Sequence, residues 1–240
     1  MAGKGSRLRG ATVPKPLVRV GECPLICYLL ESLRRRGVTT IHAVVGYEMD
    51  VLVAGLRALI PPEMKLHLVE NRDWHKQNGV SLLAAEQHVR GPFFLAMSDH
   101  IFDSQVVDRL LRLADPSELN VAADRKLETI FDIDDAMKLR TCGDRVVGIG
   151  KDLLDYDAID TGAFVCPKNV FEYLRRATQD GDCSLADGVR LMATEGKVRA
   201  IDIENAWWQD VDTPEMLREA ESRCRSNAAS YDPGLVRAIG

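Results

Sequence analysis

The first stretch of the chain with residue types suited to chemistry is its opening, MAGKGSRLRGATVPKPL. Gly3 and Gly5 would let backbone N–H groups approach phosphate oxygens, because glycine has no Cβ to clash with them. Arg7 adds a planar fork of donors, and Lys15 adds a point charge. A Walker loop would need Gly-Lys-Ser/Thr at the start of a helix, and a dinucleotide fingerprint lacks the trailing Pro-Lys-Pro. The opening therefore predicts a phosphate-binding loop of another kind, with an ordinary turn as the alternative.

Acidic residues follow two further stretches of the chain. Asp99 comes directly after the strand-like run PFFLAMS, and Asp210 and Asp212 lie in the polar stretch WWQDVDT. Ligands of open α/β sheets bind at the carboxyl ends of strands, so Asp99 is a candidate binding residue. The alternative for Asp99 is a turn or helix cap, and Asp212 could likewise cap a helix that begins at Pro214.

Alternating strands and helices must position these side chains. The runs TTIHAVVG and KLHLVE predict strands on either side of a helix in MDVLVAGLRALI, and LNVAAD predicts a strand after PFFLAMSD. A hairpin around residues 142–144 and the strand AIDTGAFV follow, then helices over 168–177 and 184–194, the strand KVRAIDI and a final helix. Such alternation is typical of βαβ crossovers. We predict a three-layer α/β/α fold with a mixed, mostly parallel sheet.

Composition narrows the class of protein. With 240 residues, of which 46% are hydrophobic, the chain can bury a substantial core. We expect one domain over residues 1–225, with a nucleotide-binding first half and an acceptor-binding second half, and a loosely ordered tail over residues 226–240.

Charge and cysteine content exclude several partners. The net charge of −5 argues against a general nucleic-acid binder, which needs a basic face. The six cysteines form no CxxC pair and are typical of reduced thiols in a cytoplasmic protein. No apolar run approaches the ~18 residues of a membrane span. We predict a cytoplasmic protein with no nucleic-acid partner and no membrane insertion, and we leave a homo-oligomer open.

The opening motif resembles the signature of a known superfamily. Gly3-Lys4-Gly5-Ser6-Arg7-Leu8, followed by Pro14-Lys15-Pro16-Leu17, resembles the nucleotidyltransferases with a glycosyltransferase-A-like fold. Those enzymes transfer NMP from an NTP to a phosphorylated acceptor and release pyrophosphate. The resemblance implies that Arg7 and Lys15 are catalytic cations around the triphosphate. It also implies a nucleotide-binding set made of Ala2, Gly3, Lys4, Gly5 and Ser6.

The same resemblance implies a Mg²⁺ site. The superfamily places a metal-binding aspartate at the position of Asp99 in Ser98-Asp99-His100. The segment Trp208-Gln209-Asp210-Val211-Asp212-Thr213 is similar to the one that brings the other metal carboxylate, and by position this is Asp210. Asp212 is left as a helix cap or as a residue that supports the ligands.

A narrower resemblance covers about residues 3–224. Asn71-Arg72, Asn78-Gly79-Val80-Ser81-Leu82-Leu83, Asp124-Arg125, Gly150-Lys151-Asp152-Leu153 and Asp160-Thr161-Gly162 resemble inositol-1-phosphate cytidylyltransferase. The related enzymes for phosphocholine and small phosphonates share part of this set. The resemblance implies that Asn78, Gly79 and Ser81 bind the nucleotide. It implies that Lys151 meets the acceptor phosphate as a catalytic cation, and that Asp124, Asp160 and Thr161 bind the acceptor.

The function implied is transfer of CMP from CTP to a small phosphorylated alcohol, with inositol 1-phosphate as the first choice. Alternatives are a cytidylyltransferase for phosphocholine or a small phosphonate, and a sugar-1-phosphate nucleotidyltransferase. A third alternative is an inactive nucleotide-binding regulatory domain. For each residue a structural role competes with the functional one: Lys151 could be an exposed surface lysine, and Asn78-Gly79 a plain turn.

One feature of the superfamily has no counterpart in the sequence. Its glycine loop follows a central apolar strand that ends in Ala-Ala-Gly, and here only Met1 and Ala2 precede the loop. We expect that the natural chain starts upstream and that the missing strand belongs in the middle of the sheet.

Overall fold

The computed structural model describes residues 13–226 of the chain. The strands in this part are β1 Arg19–Val20, β2 Cys23–Pro24, β3 Thr40–Val45, β4 Lys65–Glu70, β5 Phe93–Ala96, β6 His100–Phe102, β7 Leu119–Asp124, β8 Lys138–Cys142, β9 Arg145–Gly150, β10 Ala158–Cys166, β11 Val198–Asp202 and β12 Trp208–Asp210. The helices are α1 Leu25–Arg35, α2 Met49–Leu59, α3 Asn78–Ala84, α4 Ser104–Leu113, α5 Val170–Ala177, α6 Leu185–Thr194 and α7 Pro214–Ser226. Among these helices, none combines the length and the apolarity needed to cross a bilayer.

Helix ends follow local sequence signals. Pro24 precedes α1, and Gly37 stands just beyond its end with φ +74°, a left-handed conformation that glycine adopts without strain. A capping box begins α6, in which Ser184 and Asp187 each accept the other's backbone N–H. The predicted helix over 184–194 is observed as α6, which begins directly after its capping residue Ser184.

The main sheet has six strands in the order β5-β10-β7-β11-β9-β8. Only β7 and β11 are parallel neighbours, whereas β10 is antiparallel to both β5 and β7, and β9 is antiparallel to β11 and β8. It follows that β5, β7, β8 and β11 run in one direction, and that β9 and β10 run in the other. The predicted mixed, mostly parallel sheet is confirmed in the sense that four of its six strands run in the same direction. Most neighbouring strands are nevertheless antiparallel, because β9 and β10 lie between strands of the other direction.

Helices cover both faces of this sheet, as predicted. Successive residues of a strand point to opposite faces, and in β7 Val121 packs into one core while Ala122 packs into the other. The first core joins the sheet to α5 and α6 through Phe171, Leu174, Val189 and Met192. The second joins it to α1, α2 and α4 through Leu30, Leu52, Leu56, Val106 and Leu110. The three-layer α/β/α class is therefore confirmed.

The strands β3 and β4 form a separate parallel pair. Ala43 and Val45 of β3 lie in the same core as Phe94 and Ala96 of β5, so the two sheets share one face. Within the described residues no ladder joins β3 to β5, and a cavity of about 340 Å³ lies between them. We call this cavity the β3–β5 slot.

Candidate active site

Asp99 lies where several strands meet at one edge of the sheet. It follows β5, and the Met97 N–H donates to the Gly162 carbonyl of β10 at 2.9 Å. The next residues form β6, which pairs with β12 so that His100 lies opposite Asp210. The Val211 N–H donates to the Asp99 carbonyl at 2.9 Å. These ladders bring the two predicted acidic stretches together.

Lys15 bridges two of the carboxylates at this edge. Its Nζ lies 3.0 Å from Oδ2 of Asp99 and also contacts the carboxylate of Asp212. The other oxygen of Asp99 is bonded to Nδ1 of His100 at 2.9 Å. Desolvation in the cleft would raise the pKa of Asp99, but the hydrogen bond from His100 and the charges of His100 and Lys15 hold that pKa well below its usual range. Asp99 is therefore ionised at neutral pH.

A divalent metal ion could bind beside Asp99 with only one or two carboxylate ligands from the protein. Among residues 13–226, no three His, Cys, Asp or Glu side chains converge as a metal site. Asp99, Asp210 and Asp212 nevertheless line one cavity, and Oδ1 of Asp210 accepts a hydrogen bond from Gln209 at 3.1 Å. Mg²⁺ commonly takes one or two carboxylates and completes its shell with water and substrate phosphates, so this donor set fits it.

The cavity beside these carboxylates has a volume of about 550 Å³ and is rich in charge. Lys151 lines it, as does Asp135, whose Oδ1 lies 2.6 Å from the Lys151 Nζ. Lys138 holds this wall in place. It is only 7% exposed, and its Nζ donates to the carbonyls of Asp134 at 3.0 Å and Lys151 at 2.7 Å. The predicted acceptor lysine thus stands on a fixed wall of the cavity.

Asp160 forms part of the cavity floor. Burial raises the pKa of Asp160 to about 7, although the Gly162 N–H and the charge of His100 oppose that shift. Gly162 has φ +81°, and a Cβ there would lie 2.9 Å from the imidazole of His100. Glycine is therefore required for the close approach of β10 to this ring. A carboxyl with such a pKa can donate as well as accept a hydrogen bond at neutral pH.

Two predicted acceptor residues have other partners. Thr161 is completely buried, and its hydroxyl donates to the Ala122 carbonyl at 2.9 Å, which corrects its predicted place at the acceptor. Asp124 does line the cavity, but it accepts hydrogen bonds from Lys126 and, at 2.9 Å, from Nε1 of Trp208. Its carboxylate is thus engaged in holding Lys126 and Trp208 in place.

The predicted nucleotide residues lie at the β3–β5 slot. Asn78 and Ser81 line the slot together with Lys15 and Asp99. Oδ1 of Asn78 accepts the backbone N–H of Leu185 at 2.8 Å, which leaves the two amide N–H groups of Asn78 as its available donors. Ser81 accepts a hydrogen bond from Asn71 at 2.9 Å. Both side chains are therefore oriented by hydrogen bonds within the protein, Asn78 by Leu185 of the slot wall and Ser81 by Asn71.

Gly79 is required for the packing of α3. A Cβ at this position would lie 2.6 Å from the Cys183 carbonyl, so α3 can approach the loop before α6 only without a side chain. The remaining predicted loop residues, Ala2, Gly3, Lys4, Gly5, Ser6 and Arg7, lie outside the described residues.

Sequence reasoning missed one aromatic contact at the site and the hydrogen bond that fixes it. The ring of His100 stacks on Trp208, with centroids 5.7 Å apart and planes at 11°. The indole of Trp208 is in turn fixed by its hydrogen bond to Asp124. The adjacency of His100 to Asp99 in the chain was the available signal, but the pairing of β6 with β12 gave no recognisable pattern.

The chain is similar to known proteins in both sequence and structure. The family model described as a MobA-like NTP transferase domain matches residues 1–190. The "Bifunctional IPC transferase and DIPP synthase" of Rubrobacter xylanophilus is 38% identical over 98% of this chain and 53% of its own length. The Archaeoglobus fulgidus protein of the same description is 34% identical over 91% of this chain and 41% of its own length. The chain thus spans about half the length of these relatives.

A solved structure is similar over almost the whole chain. The inositol-1-phosphate CTP transferase from T. maritima superposes with a TM-score of 0.81 and 28% sequence identity. The match covers 93% of each chain.

Proposed function

Because the chain belongs to the MobA-like NTP transferase domain family, we propose that it transfers CMP from CTP to a small phosphorylated alcohol and releases pyrophosphate. The observation that carries this proposal is the bridge from Lys15 to Asp99 and Asp212 at the junction of the two cavities. Asp99, Asn78, Met97 and Leu185 line both cavities, so a ligand in each would meet at Asp99. The names of these relatives and of the similar solved structure support inositol 1-phosphate as the first acceptor to test.

The chain's own residues would act mainly by positioning and by charge. Lys151 would hold the acceptor phosphate, whose oxygen attacks the α-phosphorus of CTP in line with the departing pyrophosphate. Lys15 would offset the negative charge that gathers on the α-phosphate. Asp99 and Asp210, with Asp212 beside them, would hold Mg²⁺, which would neutralise phosphate charge when bound. The acceptor phosphate is itself the nucleophile, so the reaction needs no covalent intermediate on the protein.

The cavity of about 550 Å³, where the acceptor would bind beside Lys151, favours a polyhydroxylated molecule. Its lining mixes the cations Lys126, Lys151 and Arg223 with several carboxylates, including Asp132 and Asp160. Carboxylates accept hydrogen bonds from hydroxyl groups, while a lysine meets a phosphate. Asp160, with its pKa near 7, could donate to a hydroxyl oxygen as well as accept from one. This combination supports a sugar alcohol phosphate over an apolar alcohol phosphate.

Nucleotide choice gives the first prediction. We expect kcat/KM with CTP to exceed that with ATP or GTP on the order of a hundredfold or more, because a pocket shaped for a pyrimidine excludes the larger ring. Asn78 would support this choice by donating to a base acceptor such as cytosine O2 or N3. The measurement is pyrophosphate release with CTP, UTP, ATP and GTP against inositol 1-phosphate, phosphocholine, a small phosphonate and a sugar 1-phosphate.

The same panel separates the alternatives. Turnover of UTP or GTP with a sugar 1-phosphate would identify a sugar nucleotidyltransferase, and binding of nucleotide without turnover would identify a regulatory domain. Equal rates with CTP and ATP would contradict the pyrimidine pocket.

Acceptor binding gives the second prediction. Lys151→Ala should lower kcat/KM for the acceptor by a factor of roughly ten to a thousand, equivalent to about 1.4–4 kcal/mol of transition-state binding. CTP binding should change little, because Lys151 lines the larger cavity and not the β3–β5 slot. Lys65→Ala, at an exposed position at the start of β4, is the matched control. A loss of CTP affinity with intact acceptor kinetics would show that Lys151 has another role.

A further inference from the structure

The ammonium of Lys15 occupies the place that a metal ion would need. Lys15 is 11% exposed, and its Nζ contacts one oxygen of Asp99 and one of Asp212. These aspartates follow strands of two different sheets, Asp99 after β5 and Asp212 after β12. Two carboxylates that share one small space repel each other unless a cation lies between them. Lys15 supplies that cation from within the chain.

The backbone around Lys15 is held by its neighbours in the chain and by packing against α2. Lys15 starts a short 3-10 turn between Pro14 and the buried Pro16. Leu17 closes this turn, and it packs so tightly against α2 that a Cβ on Gly55 would lie 2.5 Å from it. The four-carbon stem of lysine can then carry the ammonium to a new partner while the turn stays in place.

A divalent ion at this bridge would compete with the Lys15 ammonium for the same two carboxylates. It must first displace the ammonium, and Lys15 is tethered at high local concentration. Without a phosphate nearby, the displaced ammonium would lose the two carboxylates that it now contacts.

From these contacts we propose that Lys15 is an internal counter-ion that competes with the divalent metal for Asp99 and Asp212. In the nucleotide-free protein the ammonium keeps the two carboxylates together and weakens metal binding. When the triphosphate arrives, it offers Lys15 a new anionic partner, so metal and nucleotide enter together. This inference rests on the proposed function for the identity of the nucleotide, but the competition itself is a property of the empty site.

Mn²⁺ binding without any nucleotide tests the competition. Free and bound Mn²⁺ would be counted by electron paramagnetic resonance in the 240-residue chain, in Lys15→Met and in Lys15→Gln. Both variants remove the positive charge, and we expect each to bind Mn²⁺ roughly tenfold more tightly than the unmodified chain. Lys15→Arg retains the charge and should bind as weakly as the unmodified chain. Adding Asp99→Asn to Lys15→Met should abolish the gain.

Thermal unfolding provides a second readout. Mn²⁺ should raise the Tm of Lys15→Met more than that of the unmodified chain, because a ligand stabilises the native state in proportion to its affinity. Folded Lys15→Met and Lys15→Gln that bind Mn²⁺ no more tightly than the unmodified chain would overturn the proposal. Tight Mn²⁺ binding to the unmodified chain would overturn it as well. Neither measurement uses CTP or an acceptor, so a failure of the proposed reaction would be seen separately.

Discussion

Replacing Asp99 with asparagine should lower kcat/KM for CMP transfer by roughly a thousandfold or more while the protein stays folded. The substitution keeps size and shape but removes the negative charge that a hard cation requires. Asp99 touches Lys15 and His100, and its low pKa shows that the ionised form is the one these partners stabilise. The measurement is steady-state pyrophosphate release, accompanied by a thermal melt.

Asp50→Asn is the control for Asp99→Asn. Asp50 is an exposed residue in the first turn of α2, so the Asp50→Asn variant should retain full activity. Treatment with EDTA should abolish the activity of the unmodified chain, and added Mg²⁺ should restore it. Full activity in EDTA or in Asp99→Asn would rule out a metal-assisted mechanism at this carboxylate.

Regular elements were predictable because their apolar residues repeat with a clear period. The helix α1 has its apolar positions at helical spacing, with Pro24 before it and Gly37 after it. The hairpin of β8 and β9 turns through Gly143, whose φ is +65°. By contrast, β1, β2 and β6 have two or three residues each, which is too short to show any period. Their pairing is fixed by tertiary contacts that the local sequence does not encode.

Site residues that belong to sequence motifs were predictable, whereas those brought to the site by tertiary packing were not. Thr161 lies between Asp160 and Gly162, which line the cavity, but its hydroxyl donates to the Ala122 carbonyl of β7. The register of β10 against β7 shifts at this point, which the local sequence does not reveal. No sequence motif points to Lys138. Its partners are the backbone carbonyls of Asp134 and Lys151, and backbone groups leave no pattern in the sequence. The contact of Lys15 with Asp212 was also missed, since residues almost two hundred positions apart meet only in the folded sheet.

The β3–β5 slot leads to the second large expected effect. His42, Ala43 and Val44 of β3 line one side of the slot, and Leu95 and Ala96 of β5 line the other. Both strands are edges within residues 13–226, although their side chains share one apolar core. A strand placed between them would join the two sheets and would lead directly toward Lys15 and Asp99 at the end of the slot. We expect that a strand-forming segment joined to the N-terminus of the chain would pair with both edges.

The energetic reason is the cost of unpaired backbone groups. Each buried N–H or C=O without a partner costs about 1–3 kcal/mol, and several together rival the ~5–15 kcal/mol that stabilises a whole domain. A chain with an apolar strand-forming segment joined to its N-terminus should therefore melt at a higher temperature and bind CTP more tightly than the 240-residue chain, as followed by a thermal melt and by titration with CTP. A matched extension with proline at the centre of the added segment should fail to rescue, because proline cannot donate to a central ladder. Equal stability and equal CTP affinity of the extended and 240-residue chains would show that another segment fills the slot.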